Sequence, residues 1–413
     1  MANHGLVIDL GTTAISAYLI NLENNSVING HVVENPQRQE QEIGARRQAM
    51  INQANAVIDS LCAEMGLSGE DIREVVVVGN PAMIDLWFGR ISGIALTSLA
   101  SINHTDGTVL KAMAFGLRIN PEGEVIIPPA VGGMIGCDTT AGLLTNNLFT
   151  REDLSLYVDL GTYATVVLGT QEGFVSTSVY GGVFEGVGLR DGMVATTGAI
   201  YKVDFNLSPP YKVYGACLPQ GICGAGVIDT LSHLRSAGVI NEKGKIDRAN
   251  AGLRANGQTR AFERVIELDG QPAFLIASPR ETSRDQGIAL TQADIDKTVR
   301  AKAMVLAATR MLLRKIGVEV QEIKNIYLTG SLGNAINFRH AINLGLIPAV
   351  DCNIFYISNA AGKGATQILR NRKNLDVCYQ IKERIKAVEV KSDPDFEQLV
   401  SQNMVLCPTA NGY

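Results

Sequence analysis

The chain carries one short motif, Asp-Leu-Gly-Thr, twice. The first copy runs from Asp9 to Thr12 and the second from Asp159 to Thr162, each between two apolar runs. This pattern predicts a β-hairpin whose tight turn holds the motif. Glycine lets a ligand approach the backbone, and turn N–H groups with a Thr hydroxyl form an anion-binding nest. An Asp carboxylate at the strand end is an oxygen ligand that suits Mg²⁺. Two copies in one chain favour a pair of phosphate-binding turns over ordinary turns.

These turns define the candidate site. We expect phosphate contacts from Gly11, Thr12, Thr13, Gly161 and Thr162, and Mg²⁺ ligation with catalytic roles from Asp9 and Asp159. For Thr13 an ordinary turn residue is an open alternative, and for the two Asp residues it is a carboxylate that caps its own turn. Asp138 precedes a helical pattern over residues 139–148. It is a candidate catalytic carboxylate that orients the attacking water, or else a plain helix N-cap.

A second repeated unit positions the turns. A strand-like run over residues 27–33 and an apolar stripe over residues 43–65 predict a third strand and a long helix, which Gly66 ends. Residues 75–78 are four valines, typical of a strand buried on both faces, and Pro81 begins the next helix. Residues 322–331 repeat this strand after another helical pattern over residues 292–315, with Gly330 in the place of Gly79.

The chain is therefore predicted to be an internal duplication of an α/β lobe. The interval from residue 159 to residue 330 is longer than that from residue 9 to residue 79 by roughly 100 residues, which predicts an insertion at about 181–289. We expect a first lobe over 1–149 and a second over 150–413. Ligands bind beyond the carboxyl ends of strands in open α/β sheets, so a nucleotide cleft is expected there.

The composition of the chain argues against several classes of function. The chain has 413 residues, 46% of them hydrophobic and 19% charged, and a net charge of −5, with no Lys/Arg block. We expect neither a nucleic-acid partner nor a membrane anchor, and no signal peptide because the sequence enters a strand at once. The seven cysteines are scattered without a C-x-x-C pair, so reduced thiols, a cytoplasmic location and no iron–sulfur cluster are expected.

Two such turns and a late glycine-ended strand resemble the actin, sugar kinase and heat-shock chaperone superfamily. The resemblance implies duplicated ribonuclease H-like lobes, an actin-like ATPase fold. It implies that both turns hold the phosphates and Mg²⁺ of ATP, and that residues 328–334 hold the adenosine. The adenosine contacts would be Gly330, Ser331, Gly333 and Asn334. A strand-to-helix turn without a ligand is the alternative for these four residues.

Six further segments are similar to the ATP-dependent reductive activators of corrinoid proteins: residues 79–83, 128–139, 184–193, 222–229, 290–295 and 345–348. That resemblance covers nearly the whole chain. It implies an ATPase that drives reductive activation of a corrinoid (cobalamin) protein of a methyltransferase system. The partners would be that corrinoid protein and a separate ferredoxin-like electron donor, and a homodimer is compatible with it.

The sequence also departs from this family. Members of the family usually carry an iron–sulfur domain, and we expect none here. The second turn continues Tyr163-Ala164-Thr165 where the family has Asn-Gly-Glu, which removes a carboxylate near the γ-phosphate. A small-molecule kinase and a nucleotide-binding regulatory or chaperone module without turnover therefore stay open as alternatives. Glu185 and Arg190 are interpreted as a pair, lining the cleft or on the surface.

Overall fold

The structure is a computed structural model that describes residues 4–91, 94–205, 207–247, 262–330 and 336–408. The chain divides into two compact units. The first comprises Met1–Glu152, Gly169–Ser176 and Asn359–Ala387, and the second comprises Asp153–Leu168, Thr177–Ser358 and Val388–Tyr413. The sequence-based boundary between residues 149 and 150 and the insertion at 181–289 stay predictions.

The described ranges contain both strands and helices. The strands are β1 (His4–Leu10), β2 (Ala14–Asn21), β3 (Ser26–Glu34), β4 (Ile72–Gly79), β5 (Arg90–Ile91), β6 (Ile94–Ala95), β7 (Thr108–Lys111), β8 (Glu124–Ile127), β9 (Ser155–Leu160), β10 (Tyr163–Thr170), β11 (Gly173–Tyr180), β12 (Ala199–Val203), β13 (Tyr211–Val213), β14 (Gly221–Ile222), β15 (Val265–Leu268), β16 (Gln271–Ala277), β17 (Ile288–Thr291), β18 (Asn325–Gly330), β19 (Asn353–Ser358) and β20 (Ile385–Ala387). The helices are α1 (Ile43–Met65), α2 (Pro81–Phe88), α3 (Cys137–Gly142), α4 (Gly224–Ser236), α5 (Gln292–Ile316), α6 (Phe338–Asn343), α7 (Ala360–Arg370), α8 (Lys373–Arg384) and α9 (Pro394–Gln402).

The first unit is built on a sheet with the order β3-β2-β1-β4-β8-β7. β1 pairs antiparallel with β2, as the hairpin pattern predicts, and parallel with β4. The four valines of β4 are fully buried, which confirms the strand predicted from them. The predicted phosphate turn of the β1–β2 hairpin and the end of β4 therefore lie side by side.

Helix α1 shows how the sequence pattern becomes a packed face. Its bounds are those predicted, and Ile51, Ala54, Ile58 and Leu61 of the predicted stripe are buried. Gly66 ends the helix in the left-handed region, at φ 67°. The prediction is wrong for Met65, which is exposed because it lies in the last turn, beyond the core.

The second unit repeats the register of the first. Asp159 of β9 lies opposite Thr329 of β18, and Leu160 lies opposite Gly330. In the first unit Asp9 and Leu10 lie opposite Val78 and Gly79 in the same way. The internal duplication is therefore seen in the strand pairing. Gly330 has a φ of 129°, and a Cβ there would lie 2.2 Å from the Leu160 carbonyl oxygen, so only glycine fits.

Two small sheets and the long helix α5 complete the second unit. Two small sheets, with the orders β13-β12-β14 and β15-β16-β17, account for much of the irregular pattern between residues 181 and 289. Helix α5 begins at a capping box in which Thr291 and Asp294 each bind the other's backbone N–H. No helix within the described ranges is both long and apolar enough to cross a bilayer.

The helix predicted over residues 139–148 is wrong at both ends. α3 covers Cys137–Gly142 only, and a 3₁₀ turn follows over Thr145–Thr150. Asn146 and Asn147 interrupt it, with φ of 56° and 51°. Asparagine adopts the left-handed conformation more readily than other side-chain-bearing residues, so this pair ends a pattern whose apolar spacing alone indicates a longer helix.

Candidate functional site

The first predicted phosphate turn is held by two buried side chains from the segment after β3. The Asn35 side-chain amide donates to the Gly11 carbonyl at 2.8 Å, and the Gln37 amide donates to the Thr12 carbonyl at 3.1 Å. The Asn35 backbone N–H donates to the Thr13 carbonyl at 2.8 Å. The carbonyls of the turn thus bind neighbouring protein groups. This fixes the turn before any ligand binds.

Thr13 carries a polar atom that suits a ligand. Its side chain is 3% exposed, and its hydroxyl has no hydrogen-bond partner among the described residues. An unsatisfied buried hydroxyl costs about 1–3 kcal/mol, so an ordinary turn residue does not account for it well. A phosphate oxygen at this turn would satisfy it.

Asn80 connects the first turn to helix α2. Its side-chain oxygen caps the helix by accepting from the Met83 N–H at 3.1 Å, and its amide donates to the Thr12 hydroxyl at 3.0 Å. Because the Thr12 oxygen accepts this bond, its own hydrogen is oriented away and can donate to a ligand oxygen. The sequence-based prediction gives Asn80 no role of its own, although an Asn before Pro at a helix start is a recognisable capping signal.

Asp138 lies at the same end of β4, inside the first turn of α3. The N-cap of α3 is Gly136, so the alternative that Asp138 is the N-cap is wrong. One Asp138 carboxylate oxygen accepts from the Thr139 N–H at 2.7 Å. A Cβ on Gly136 would lie 2.6 Å from that oxygen and 2.6 Å from the Gly79 carbonyl, so glycine permits the carboxylate to approach the strand end.

Burial raises the pKa of Asp138 to about 6, with the hydrogen bonds from Thr139 acting in the opposite direction. Protonation is therefore easier in the folded chain than in the unfolded one. A carboxylate with a pKa near the working pH is suited to accept a proton or to orient water. The raised value also places Asp138 among the groups that functional sites typically perturb.

We expect Asp138→Asn to stabilise the fold at neutral pH. The folded pKa exceeds the unfolded value, so the wild type loses stability as the pH rises from about 4 to about 6 and loses no more above that. The variant should gain on the order of 1–2 kcal/mol in the free energy of unfolding near pH 8 and almost nothing near pH 4. Denaturant unfolding at both pH values measures this, with the exposed Asp376→Asn as control. A gain that is the same at both pH values would contradict it.

The second predicted turn has a carboxylate of its own. The Thr162 hydroxyl donates to the Glu185 carboxylate, and both side chains are 8% exposed. A Cβ on Gly161 would lie 3.6 Å from the other Glu185 oxygen and from the Tyr163 carbonyl, so the Glu185 carboxylate lies against the glycine of the turn. The Gly181 N–H donates to the Thr162 carbonyl at 2.9 Å, which ties the Glu185 segment to the turn.

The interpretation of Glu185 and Arg190 as a pair is wrong. Arg190 binds Asp191 at 2.6 Å and Asp269 at 3.4 Å, whereas Glu185 contacts Thr162. The physical reason is the backbone between them, where Gly186 and Gly188 both adopt left-handed conformations and turn the chain. Of these two carboxylates, Asp191 is buried, at 4% exposed, and it also accepts a hydrogen bond from the Ala289 N–H at 3.0 Å.

Each motif carboxylate lies near a half-buried tyrosine. Burial, and after it the charge of Asp9, raises the pKa of Tyr18. Burial is also the main cause that raises the pKa of Tyr356, with a smaller contribution from Asp159. Sequence reasoning did not identify either tyrosine, because strand pairing across the sheet is needed to bring them close. Asp9 and Asp159 are half-buried at the ends of β1 and β9.

The structure places Gly330 at the end of β18, one strand from the second turn. The other predicted adenosine contacts, Ser331, Gly333 and Asn334, lie outside the described residues. In the first unit, the carboxyl ends of β1 and β4 carry Asp9, the turn of Gly11 to Thr13 and Asp138. In the second unit, the second turn contains Asp159, Gly161 and Thr162, and the Thr162 hydroxyl binds Glu185.

Comparisons with known proteins agree with this geometry. Residues 4–151 match a family model described as the RACo middle region, and residues 153–412 match one described as the C-terminal domain of RACo, the ASKHA domain. The second model alone covers more than half of the chain. ASKHA is the actin-like ATPase fold, so the predicted fold class is confirmed.

Individual relatives are similar over most of the chain. The corrinoid activation enzyme RamQ of Eubacterium limosum is 28% identical over 97% of this chain and 70% of its own length. The [Co(II) methylated amine-specific corrinoid protein] reductase of Methanosarcina barkeri is 22% identical over 93% of this chain and 73% of its own length. A solved structure titled reductive activator for corrinoid, iron–sulfur protein is 29% identical with a TM-score of 0.87, over 98% of this chain and 66% of that one.

Proposed function

The chain belongs to the RACo family, and from that premise we propose that it is an ATPase that drives the reductive activation of a corrinoid protein. The observation that carries the proposal is the repeated Asp-Leu-Gly-Thr turn, placed in the same register against a glycine-ended strand in each unit. The names of the relatives support the corrinoid as the target of activation.

The turns would bind the nucleotide through the following groups. The Thr12 hydroxyl, oriented by Asn80, and the buried Thr13 hydroxyl would donate to phosphate oxygens. Asp9 and Asp159 would hold Mg²⁺, which when bound would neutralise charge on the phosphates. The oxygen-only donor set and the unsatisfied Thr13 hydroxyl fit these groups.

Two other carboxylates would orient the attacking water. Asp138, with a pKa of about 6, would be ionised at neutral pH and able to accept a hydrogen bond from water. Glu185 would supply the carboxylate that the family pattern places after the second turn and that Tyr163-Ala164-Thr165 lacks. Positioning of this kind supplies most of the catalysis in phosphoryl transfer.

Binding energy would make the reduction favourable. For a one-electron couple, about 4 kcal/mol of differential binding shifts a potential by about 180 mV. This protein would supply that difference if, in one nucleotide-bound state, it bound one oxidation state of the corrinoid protein more tightly than the other. If the corrinoid protein binds one nucleotide state of this protein more tightly than another, linkage requires it to change the nucleotide affinity by that factor, typically about 5- to 150-fold.

An electron donor, a corrinoid partner and a cellular location complete the proposed function. Electrons would come from a separate ferredoxin-like protein. The corrinoid partner would belong to a methyltransferase system. The protein would work in the cytoplasm, and a homodimer is compatible with this activity.

Measuring ATP hydrolysis with and without a corrinoid protein tests the proposal. We expect the corrinoid protein to stimulate hydrolysis. A phosphorylated small molecule would favour the kinase alternative, in which Asp138 serves as the base. Tight ATP binding with no hydrolysis in any mixture would favour a regulatory or chaperone module.

A further inference from the structure

A second concave site lies in the first unit, away from the phosphate turn. It is a cavity of about 580 Å³ between one face of α1 and the segment after residue 113. Six of its lining residues enter the argument: Arg47, Gln48, Asn52, Asn55, Phe115 and Arg118. None of them is a predicted nucleotide contact. Its volume suits a small organic molecule rather than a single ion.

Arg47 has donors without a counter-charge. Its Nε donates to the Trp87 carbonyl at 3.0 Å, which fixes the plane of the guanidinium. Within the part of the chain that the structure describes, no carboxylate pairs with it, and burial lowers its pKa. Removing a cation from water without a partner costs free energy, so an anion from outside would offset that cost.

The other charge at the cavity is already neutralised. Arg118 pairs with Asp59 at 2.7 Å, and both side chains are more than half exposed. None of the lining residues is a carboxylate. Arg47 is therefore the cation that an incoming anion would meet, and nothing in the lining repels it.

The rest of the lining is preorganised. Asn55 is 7% exposed, and its side chain binds the Gly116 carbonyl at 2.9 Å and the Arg118 N–H at 2.8 Å. At the rim the Gln48 amide donates to the Asn52 side chain at 2.8 Å. Phe115, 1% exposed, packs beneath the cavity against Trp87, with ring centroids 5.9 Å apart. A rigid polar wall over an apolar floor suits a ligand with a charged end and an organic body.

We propose that this cavity binds a small molecule bearing an oxyanion, a carboxylate or a phosphate ester, through the free fork of Arg47. A guanidinium pairs with either oxyanion in a bidentate manner, because its two terminal nitrogens match the spacing of the oxygens. The rim amides of Gln48 and Asn52 would contact the organic body. The proposal does not depend on the ATPase activity, since no residue of the cavity belongs to the phosphate turns.

The test is calorimetric titration of the full chain with two probes, succinate for the carboxylate and glycerol 3-phosphate for the phosphate ester. We expect one of them to bind at one site per chain, and the tighter probe identifies the oxyanion. Arg47→Gln should weaken that binding about 10- to 100-fold, the usual effect of losing a charged bidentate hydrogen bond. The exposed Arg38→Gln, with the same charge change outside the cavity, should leave it unchanged within about twofold.

Three outcomes would overturn the proposal. The first is that neither probe saturates below about 50 mM, which corresponds to negligible affinity. The second is that Arg47→Gln binds the probe as tightly as the wild type does. The third is that saturating ADP competes with the probe, which would assign the probe to the phosphate turns. Arg47→Lys keeps the charge and loses the fork, so it should weaken binding at least about fivefold and serves if the Gln variant does not fold.

Discussion

Asp9→Asn and Asp159→Asn should each weaken Mg-ATP binding by about 10- to 100-fold while leaving the fold intact. Each substitution removes a negative charge proposed to bind Mg²⁺, and losing a charge-assisted contact costs about 1.5–3 kcal/mol. Both side chains are half-buried at strand ends, where an isosteric amide fits. The strand pairing on either side of each residue involves backbone atoms that the change does not touch.

Calorimetry with Mg-ATP measures this, together with thermal unfolding to verify the fold. The control is Asp376→Asn, which makes the same change at an exposed position on α8. Normal Mg-ATP binding by both variants would place the nucleotide elsewhere. Weakening in only one variant would leave one turn as the phosphate site and the other as a structural repeat.

Glu185→Gln should reduce the rate of ATP hydrolysis by about 100-fold or more, with only a small change in KM for ATP. A carboxylate that orients or deprotonates water acts in the transition state and typically contributes about 10²- to 10⁴-fold. The amide still accepts the hydrogen bond from Thr162, so the local structure should persist. Single-turnover hydrolysis in the presence of the corrinoid partner is the suitable assay.

Thr162→Val is the matched variant for this prediction. It removes the donor that holds Glu185 and leaves the carboxylate in place. We expect a smaller loss of rate than in Glu185→Gln, with a larger change in KM because Thr162 is itself a proposed phosphate contact. Unchanged hydrolysis in Glu185→Gln would show that the carboxylate only stabilises the turn.

Much of the architecture could be predicted from local signals. Apolar runs on either side of Asp9 and Asp159 define the hairpins, and the four valines of β4 define a strand buried on both faces. The repeat of these signals was enough to predict the duplication, which the pairing of Leu10 with Gly79 and of Leu160 with Gly330 confirms. Helix α1 ends at Gly66, as predicted, because a left-handed C-cap has its own sequence signal.

The parts that sequence reasoning missed depend on long-range approach. Glu185 reaches the second turn because the Gly181 N–H binds the Thr162 carbonyl at the start of the Glu185 segment, and no periodic pattern encodes that contact. Asn80 and Tyr18 acquire their roles only through neighbours that fold against them. The short α3 is a different case, because two consecutive asparagines in left-handed conformations override a helical apolar pattern.

The central claim is that nucleotide drives corrinoid reduction. The most direct measurement is the absorbance of Co(I) in an anaerobic mixture of this protein, a corrinoid protein and a ferredoxin-like donor. The donor should be poised at a potential at which it leaves Co(II) unreduced. We predict that ATP produces Co(I) with the wild type, and that ADP, or ATP with Asp159→Asn, does not. Co(I) that forms equally without ATP, or that fails to form with ATP while the corrinoid protein is bound, would contradict the account.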